Sequence, residues 1–217
     1  MQAILQSIQA GQIRSYQDEN GRQWESAIDK TRVVGEVEVQ NDGLVGDQQA
    51  DLKHHGGIDK AVLGYSCDYF AKWQNEFPDW SVVAGCFGEN LTIAGQTETD
   101  VCIGDVFQIG NCQLQVSQPR QPCWKLAKKI GIAKLAVRVQ QLGWTGWYFR
   151  VLKTGVIQAG DSITLVERVD DNMSIQRANE IMYAQPRNSA DDLALSKCPE
   201  LSAAWREGLE KRALGKS

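Results

Sequence analysis

Hydrophobic and polar positions alternate with period two in several short stretches of the first 120 residues, and this predicts strands. Ala3 to Ile8 alternates, and Val33 to Val39 does so up to the turn Asn41-Asp42-Gly43. Gly46 to Lys60 breaks the pattern with a polar, glycine-rich stretch too long for a hairpin loop, and long ordered loops usually carry function. Ala61 to Tyr65 resumes as a strand. Ser66 then suits the cap of a helix whose aromatic stripe, Tyr69, Phe70, Trp73 and Phe77, keeps helical spacing until Pro78, and that stripe is expected in the core. Phe87 to Ile93 reads as a strand, and Val101 to Ile109 pairs with Cys112 to Ser117 across Gly110-Asn111. A helical stretch opens at Cys123 and runs to Leu142 with an interruption at Gly131, followed by strands over Gly146 to Leu152 and Ser162 to Val169. Past Val169 the periodicity turns helical, over Ser174 to Ala184, near Asp191 to Leu195, and over Glu200 to Lys211. The fold class is therefore mainly β with inserted helices, followed by a small helical domain. The expected domains are residues 1–170 and 171–217.

Composition adds limits to this picture. With 217 residues, 42% hydrophobic and 23% charged, the chain resembles an ordinary globular protein and no disordered tail. A net charge of −4 removes the global attraction a duplex-coating protein would use, so no specific nucleic-acid partner is expected. No stretch approaches the ~20 apolar residues that span a bilayer, and Met1 to Gly11 lacks a positive segment ahead of an apolar run. A cytoplasmic protein with no membrane partner is expected. The six cysteines form no CxxC pair, so neither a zinc knuckle nor a secreted disulfide framework is suggested.

Charge is unevenly placed. From Val106 to Gly160 there is no Asp or Glu, against Arg120, Lys125, Lys128, Lys129, Lys134, Arg138, Arg150 and Lys153. This asymmetry points to a local anion site, with a solvated helix face as the alternative for the lysines at helical spacing. Arg120 differs from those lysines because it sits in the stiff turn Gln118-Pro119-Arg120-Gln121-Pro122, which can aim a guanidinium at a phosphate. Cys123 follows at a helix start among cations, an environment that favours the thiolate, a nucleophile and soft-metal ligand. The alternative is a buried cysteine of a capping region. Of the adjacent His54 and His55, an extended backbone would turn at most one toward a given ligand. Gly56-Gly57 lets the backbone approach an anion closely.

Five ordered segments carry a resemblance. They are Gly43-Leu44-Val45-Gly46-Asp47, His55-Gly56-Gly57-Ile58-Asp59-Lys60-Ala61-Val62, Phe87-Gly88-Glu89-Asn90-Leu91, Ile103-Gly104-Asp105, and Leu114 to Leu126 with its Gln-Pro-Arg-Gln-Pro-Cys-Trp-Lys core. Together they resemble the MOSC domain in its YiiM-like branch, and the tail with Trp205-Arg206 and Lys211 to Lys216 resembles the three-helix domain of that branch. The resemblance implies a closed or nearly closed β-barrel that holds a molybdenum cofactor, in its molybdopterin form, in a positively charged cavity. It further implies reduction of N-hydroxylated compounds, including N-hydroxylated purine analogues, with Cys123 as the protein ligand to the metal. On that reading Arg120 contacts the pterin phosphate or orients the Cys123 loop, Lys125 adds a cofactor-binding cation, Gly56 and Gly57 present backbone donors to the pterin or to an oxo group, and His55 donates a proton as the N–O bond breaks. Asp47, Asp59 and Asn90 are candidates to stand behind these groups, with turn and cap hydrogen bonding as their alternative role. No flavin or nicotinamide fingerprint such as GxGxxG appears, so electrons are expected from a separate reductase. Two other functions stay open: a sulfur carrier using a Cys123 persulfide, and a non-catalytic cofactor carrier or partner-binding module.

Overall fold

The computed structural model of the protein describes residues 2–18, 20–51 and 56–215. The first strand, β1 (Ala3–Ala10), is followed by the hairpin β2 (Arg14–Gln17) and β3 (Gln23–Ser26), then β4 (Thr31–Val33), β5 (Val37–Gln40) and β6 (Gly43–Leu44). A 3-10 turn (Ile58–Lys60) leads into β7 (Val62–Ser66), and a second (Cys67–Tyr69) into α1 (Phe70–Glu76), which is followed by β8 (Leu91–Ala94). Then come β9 (Val106–Ile109), β10 (Cys112–Pro119), α2 (Trp124–Ile130) and α3 (Leu135–Leu142), followed by β11 (Trp147–Lys153), β12 (Gly155–Ile157) and β13 (Ser162–Glu167). The chain closes with α4 (Ile175–Tyr183), α5 (Ser189–Ser196) and α6 (Ala203–Ala213).

Seven strands make a closed barrel in the order β13, β9, β10, β11, β7, β8, β1, and β1 returns to β13 through Ala3 opposite Ile163 and Ile4 opposite Ser162. Closure leaves no open edge on the ring, which removes the usual site of strand-to-strand aggregation. Within the ring β7 and β8 run parallel, and the crossover that a parallel pair needs is supplied by α1. Ser66 accepts from the Asp68 N–H and so starts the 3-10 turn that leads into α1.

The expected single strand over Val33 to Val39 is two strands, because Gly35 takes φ 89° and turns the chain between β4 and β5. The strand expected from Phe87 begins only at Leu91. Ahead of it Gly88 (φ 77°) lies so close to Ile28 that a Cβ there would stand 2.8 Å from Ile28 Cγ1. Likewise the strand expected from Val101 begins at Val106, because Asp105 folds back to accept the Cys102 N–H at 2.8 Å and is held by Arg168.

The barrel interior is filled by side chains such as Leu5, Ile93, Phe107, Leu114, Trp147 and Phe149, all at most 1% exposed. Ile175, Ala178, Ile181, Leu195, Leu201, Trp205 and Leu209 from the C-terminal helices join the same cluster, so the barrel and the helical unit share one core. A second cluster lies outside the barrel, where Tyr65, Tyr69, Trp73 and Phe87 pack against Leu126, Leu135 and Val139 of α2 and α3. Tyr69 and Trp73 of the aromatic stripe are buried there, and Phe70 and Phe77 pack partly buried beside them. No helix among the described residues is long and apolar enough to cross a membrane.

Candidate functional site

A solvent-open cleft of about 660 Å3 runs along the outer face of the barrel. Its walls include Ile28, Lys30, Asp47, Asp51, Lys60, Leu63, Phe87, Gly88, Asn90, Arg120, Cys123, Lys125 and Tyr148. The side of the barrel follows from strand alternation. Val62, Trp147 and Phe149 belong to the interior cluster, so their neighbours Leu63 and Tyr148, which lie opposite each other on β7 and β11, face outward. The cavity expected within the barrel is therefore a cleft on its outer wall, because large side chains already fill the interior.

Cys123 is the N-cap residue of α2, in extended conformation (φ −109°, ψ 167°), its side chain makes no capping bond, and the residue lines the cleft. It is partly exposed. Two other thiols are buried: Cys112 is pushed up to about 11, and Cys86 far above the ordinary thiol range, by burial first and then by Asp161 and Glu89 respectively.

Arg120 emerges where β10 ends, and its N–H donates to the Gly146 carbonyl at 3.0 Å. Its side chain is held by Nη2, which donates to the Phe87 carbonyl at 3.1 Å. The residue is 5% exposed, yet Nη1 has no hydrogen-bond partner, and among the described residues no carboxylate lies within ion-pair distance. A buried guanidinium left with spare donors beside a cleft is costly unless an anion completes it. Tyr148 shares this corner: burial raises its phenol, the Arg120 charge opposes the rise and Cys123 adds to it.

Another part of the lining is a polar network. Asp47 accepts from Lys30 Nζ at 2.5 and 2.6 Å, from Asn90 Nδ2 at 2.8 Å and from the Gly11 N–H at 2.7 Å. The Lys30 and Asp47 side chains are 8% and 5% exposed. Burial lowers the Lys30 amine, and Asp47 opposes that lowering most strongly. Asn90 also accepts the Leu63 N–H and donates to the Gln9 carbonyl, which ties this wall to β7 and β1. Lys60 reaches the cleft from the 3-10 turn, its amine lowered by burial against the attraction of Asp59 and Asp51.

Cys123, Arg120, Lys125, Asn90 and Asp47 thus line one cleft. Asp59 does not line it; its carboxylate meets Arg150 and the start of α6. Gly56 and Gly57 also lie off the described walls, and Gly57 (φ 92°) caps the 3-10 turn instead. His54 and His55 lie outside the described residues. Lys30, Lys60 and Tyr148 are cleft residues that motif reading missed, although the outward parity of Tyr148 between Trp147 and Phe149 was available in the alternation.

The carboxylate-free stretch finds its counter-charges elsewhere in the chain. Lys129 lies 3.4 Å from Asp29, Arg138 2.6 Å from Glu76 and Arg150 2.8 Å from Asp59. Lys125 Nζ donates to the Glu25 carbonyl at 2.9 Å. Among the described residues no three His, Cys, Asp or Glu side chains converge to hold a metal ion.

The comparisons agree with this architecture. The family model of the MOSC domain matches residues 51–164, and that of the YiiM-like 3-alpha helix domain matches residues 173–212. Strand β1, which closes the barrel, lies ahead of the matched span. The crystal structure of YiiM from Geobacillus stearothermophilus superposes with a TM-score of 0.83 at 38% identity, over 97% of this chain and 99% of that one. Protein YiiM of Escherichia coli is 37% identical over 95% of this chain and 91% of its own length. A protein of Gibberella moniliformis named reductase is 35% identical over 91% of this chain, which spans only 35% of that protein. With a closed seven-stranded barrel, the C-terminal helices and these matches, the chain belongs to the MOSC-domain family, in its YiiM-like branch.

Proposed function

We propose that the Cys123 cleft binds a molybdenum cofactor of the molybdopterin form and that the protein uses it to reduce N-hydroxylated compounds, N-hydroxylated purine analogues among them. One observation carries the reading: a partly exposed thiol and a buried guanidinium with an unpartnered Nη1 share one cleft. The residues fit such a group. A soft thiolate suits a metal already held by dithiolene sulfurs, and Arg120 with Lys125 suits a phosphate. When bound, the cofactor supplies the two-electron redox centre at which an N–O bond is cleaved. The net change is R–NHOH with two electrons and two protons giving R–NH2 and water.

The chain's own residues bind, orient and neutralise. Cys123 Sγ holds the metal from the protein side, and Arg120 Nη1 meets the anionic end of the cofactor. Asp47 favours the charged form of Lys30 against burial and is itself held by Asn90, so the Lys30 amine is fixed on the cleft wall. Lys30 and Lys60 offer N–H donors to the departing oxygen, and His55 is the proposed proton donor. Electrons come from a separate reductase; the fungal relative named reductase, two thirds of which has no counterpart here, supports oxidoreductase chemistry.

The test is turnover of an N-hydroxylated purine with an external electron donor, comparing the wild type with Cys123→Ser. The reading expects activity in the wild type and none above background in a folded variant. Full turnover by the variant would exclude the ligand role. A labile sulfur on Cys123 without molybdenum would favour the sulfur carrier instead.

A further inference from the structure

Asp59 immediately precedes Lys60, yet its side chain turns away from the cleft and toward the C-terminal helices. Arg150 Nε donates to Asp59 Oδ1 at 2.9 Å, and the Ala203 N–H, at the first position of α6, donates to Oδ2 at 3.2 Å. The backbone is tied at the same place. Ser117 Oγ lies within hydrogen-bond reach of the Asp59 and Tyr148 carbonyls, and the Ser117 carbonyl accepts the Ser202 N–H at 2.9 Å. Ser117 sits at a register shift of β10, a bulge that turns its hydroxyl toward these partners.

Three segments thereby meet at one point, two of them bonded directly by Ser202 and Ala203 and the third, β11, joined through Ser117 and Arg150. They are the 3-10 turn that carries Lys60, the end of β10 that leads to Arg120 and Cys123, and β11 with Tyr148. Each ends on the cleft wall, whereas Asp59, Ser117, Ser202 and Ala203 do not line it. Donor and acceptor of the Ala203–Asp59 bond are 144 residues apart, so it joins parts of the fold that local structure would leave independent.

We infer that the C-terminal helical unit is a positioning element of the cleft, acting through Asp59. The start of α6 holds the 3-10 turn so that Lys60 stands against the anion-binding wall before any ligand arrives. A cationic side chain fixed in advance loses less conformational freedom on binding, which tightens retention of an anion without a new contact. The inference rests on the reading of the cleft as an anionic cofactor site. Asp59 is a positioning residue on this account, because it touches the holder of the ligand and not the ligand.

Ala203→Pro in the full-length chain tests it. Proline is well tolerated at the first helical position, Ser202 already has the extended conformation that a residue before proline prefers, and residue 203 is exposed. The substitution therefore removes the donor to Asp59 and leaves the helix. The thermal midpoint is expected to stay or rise. Exchange of the Lys60 amide, which donates to the Gly57 carbonyl at 2.9 Å, is expected to accelerate about tenfold, and molybdenum loss from the loaded protein on dialysis by about tenfold. Asp59→Asn, which keeps an oxygen for Ala203 but loses the charge facing Arg150, is expected to fall between the wild type and Ala203→Pro in both readouts. Unchanged Lys60 exchange in both variants overturns the inference, as does faster exchange with unchanged molybdenum retention. If the wild type takes up no molybdenum, the cofactor reading fails, and exchange at Lys60 alone decides whether α6 holds the turn.

Discussion

Arg120 and Arg150 come from the same carboxylate-free stretch, one just past the end of β10 and the other on the adjoining β11, yet their surroundings are opposite. Every guanidinium nitrogen of Arg150 has a partner: Asp59 faces its Nε and Nη2, and Gln115 accepts from Nη1 at 2.9 Å. Arg120 is more deeply buried and carries a spare Nη1 beside the cleft. An arginine that crosslinks elements has its donors used within the protein, whereas one that serves a ligand keeps donors in reserve at a cost to the unliganded fold. On the proposed reading the difference separates two regions, a wall that receives an anion and a clamp that holds that wall in place.

Four substitutions or modifications sharpen or break this contrast. Lys30→Met should have the largest effect on stability, about 3–5 kcal/mol by urea titration, because it strands the Asp47 carboxylate in a buried site; a change below about 1 kcal/mol would mean that water reaches the pair freely. Arg120→Ala should leave the stability of the unloaded protein within about 1 kcal/mol of wild type or raise it, since an unpaired buried charge disappears, while cofactor retention falls about a hundredfold. Unchanged cofactor content after gel filtration would remove Arg120 from the anion site. Arg150→Ala should do the reverse, lowering unloaded stability by about 1–2 kcal/mol with a smaller effect on retention than Arg120→Ala. Equal retention losses in the two variants would erase the distinction between wall and clamp. The smallest effect concerns thiol labelling with iodoacetamide at pH 8. Burial holds the Cys112 thiol near 11, so its reactive form is scarce there, and Cys86 is raised further. Cys123 should be alkylated ahead of both in the native protein, as read by peptide mass, and the reverse order would place Sγ away from the cleft.

Much of this was legible along the chain because its cause is local. The Pro-bracketed turn before Cys123 and the glycine that ends α2 at Gly131 (φ 80°) are sequence-near devices, and they brought Arg120, Cys123 and Lys125 to one cleft. What was not legible depends on partners far apart. Lys30 has no motif around it, and its role appears only with Asp47, Asn90 and Gly11 in place. Asp59 lies in a motif shared with the expected cofactor loop, but its partners are 91 and 144 residues away, so its direction could not be read. The charge excess from Val106 to Gly160 is real in sequence, and in space Asp29, Glu76 and Asp59 pair with three of its eight cations, Lys129, Arg138 and Arg150. Alternation on β7 and β11 held the information that the site lies outside the barrel, since Leu63 and Tyr148 have opposite parity to Val62 and Phe149.

The most direct test is elemental analysis for molybdenum on purified protein from a cofactor-proficient host, with the Cys123→Ser protein prepared in parallel. The account predicts about one molybdenum per chain in the wild type, by the single Cys123 ligand it assigns, and a content near background in the folded variant. No molybdenum in the wild type, or equal content in the two proteins, would contradict it.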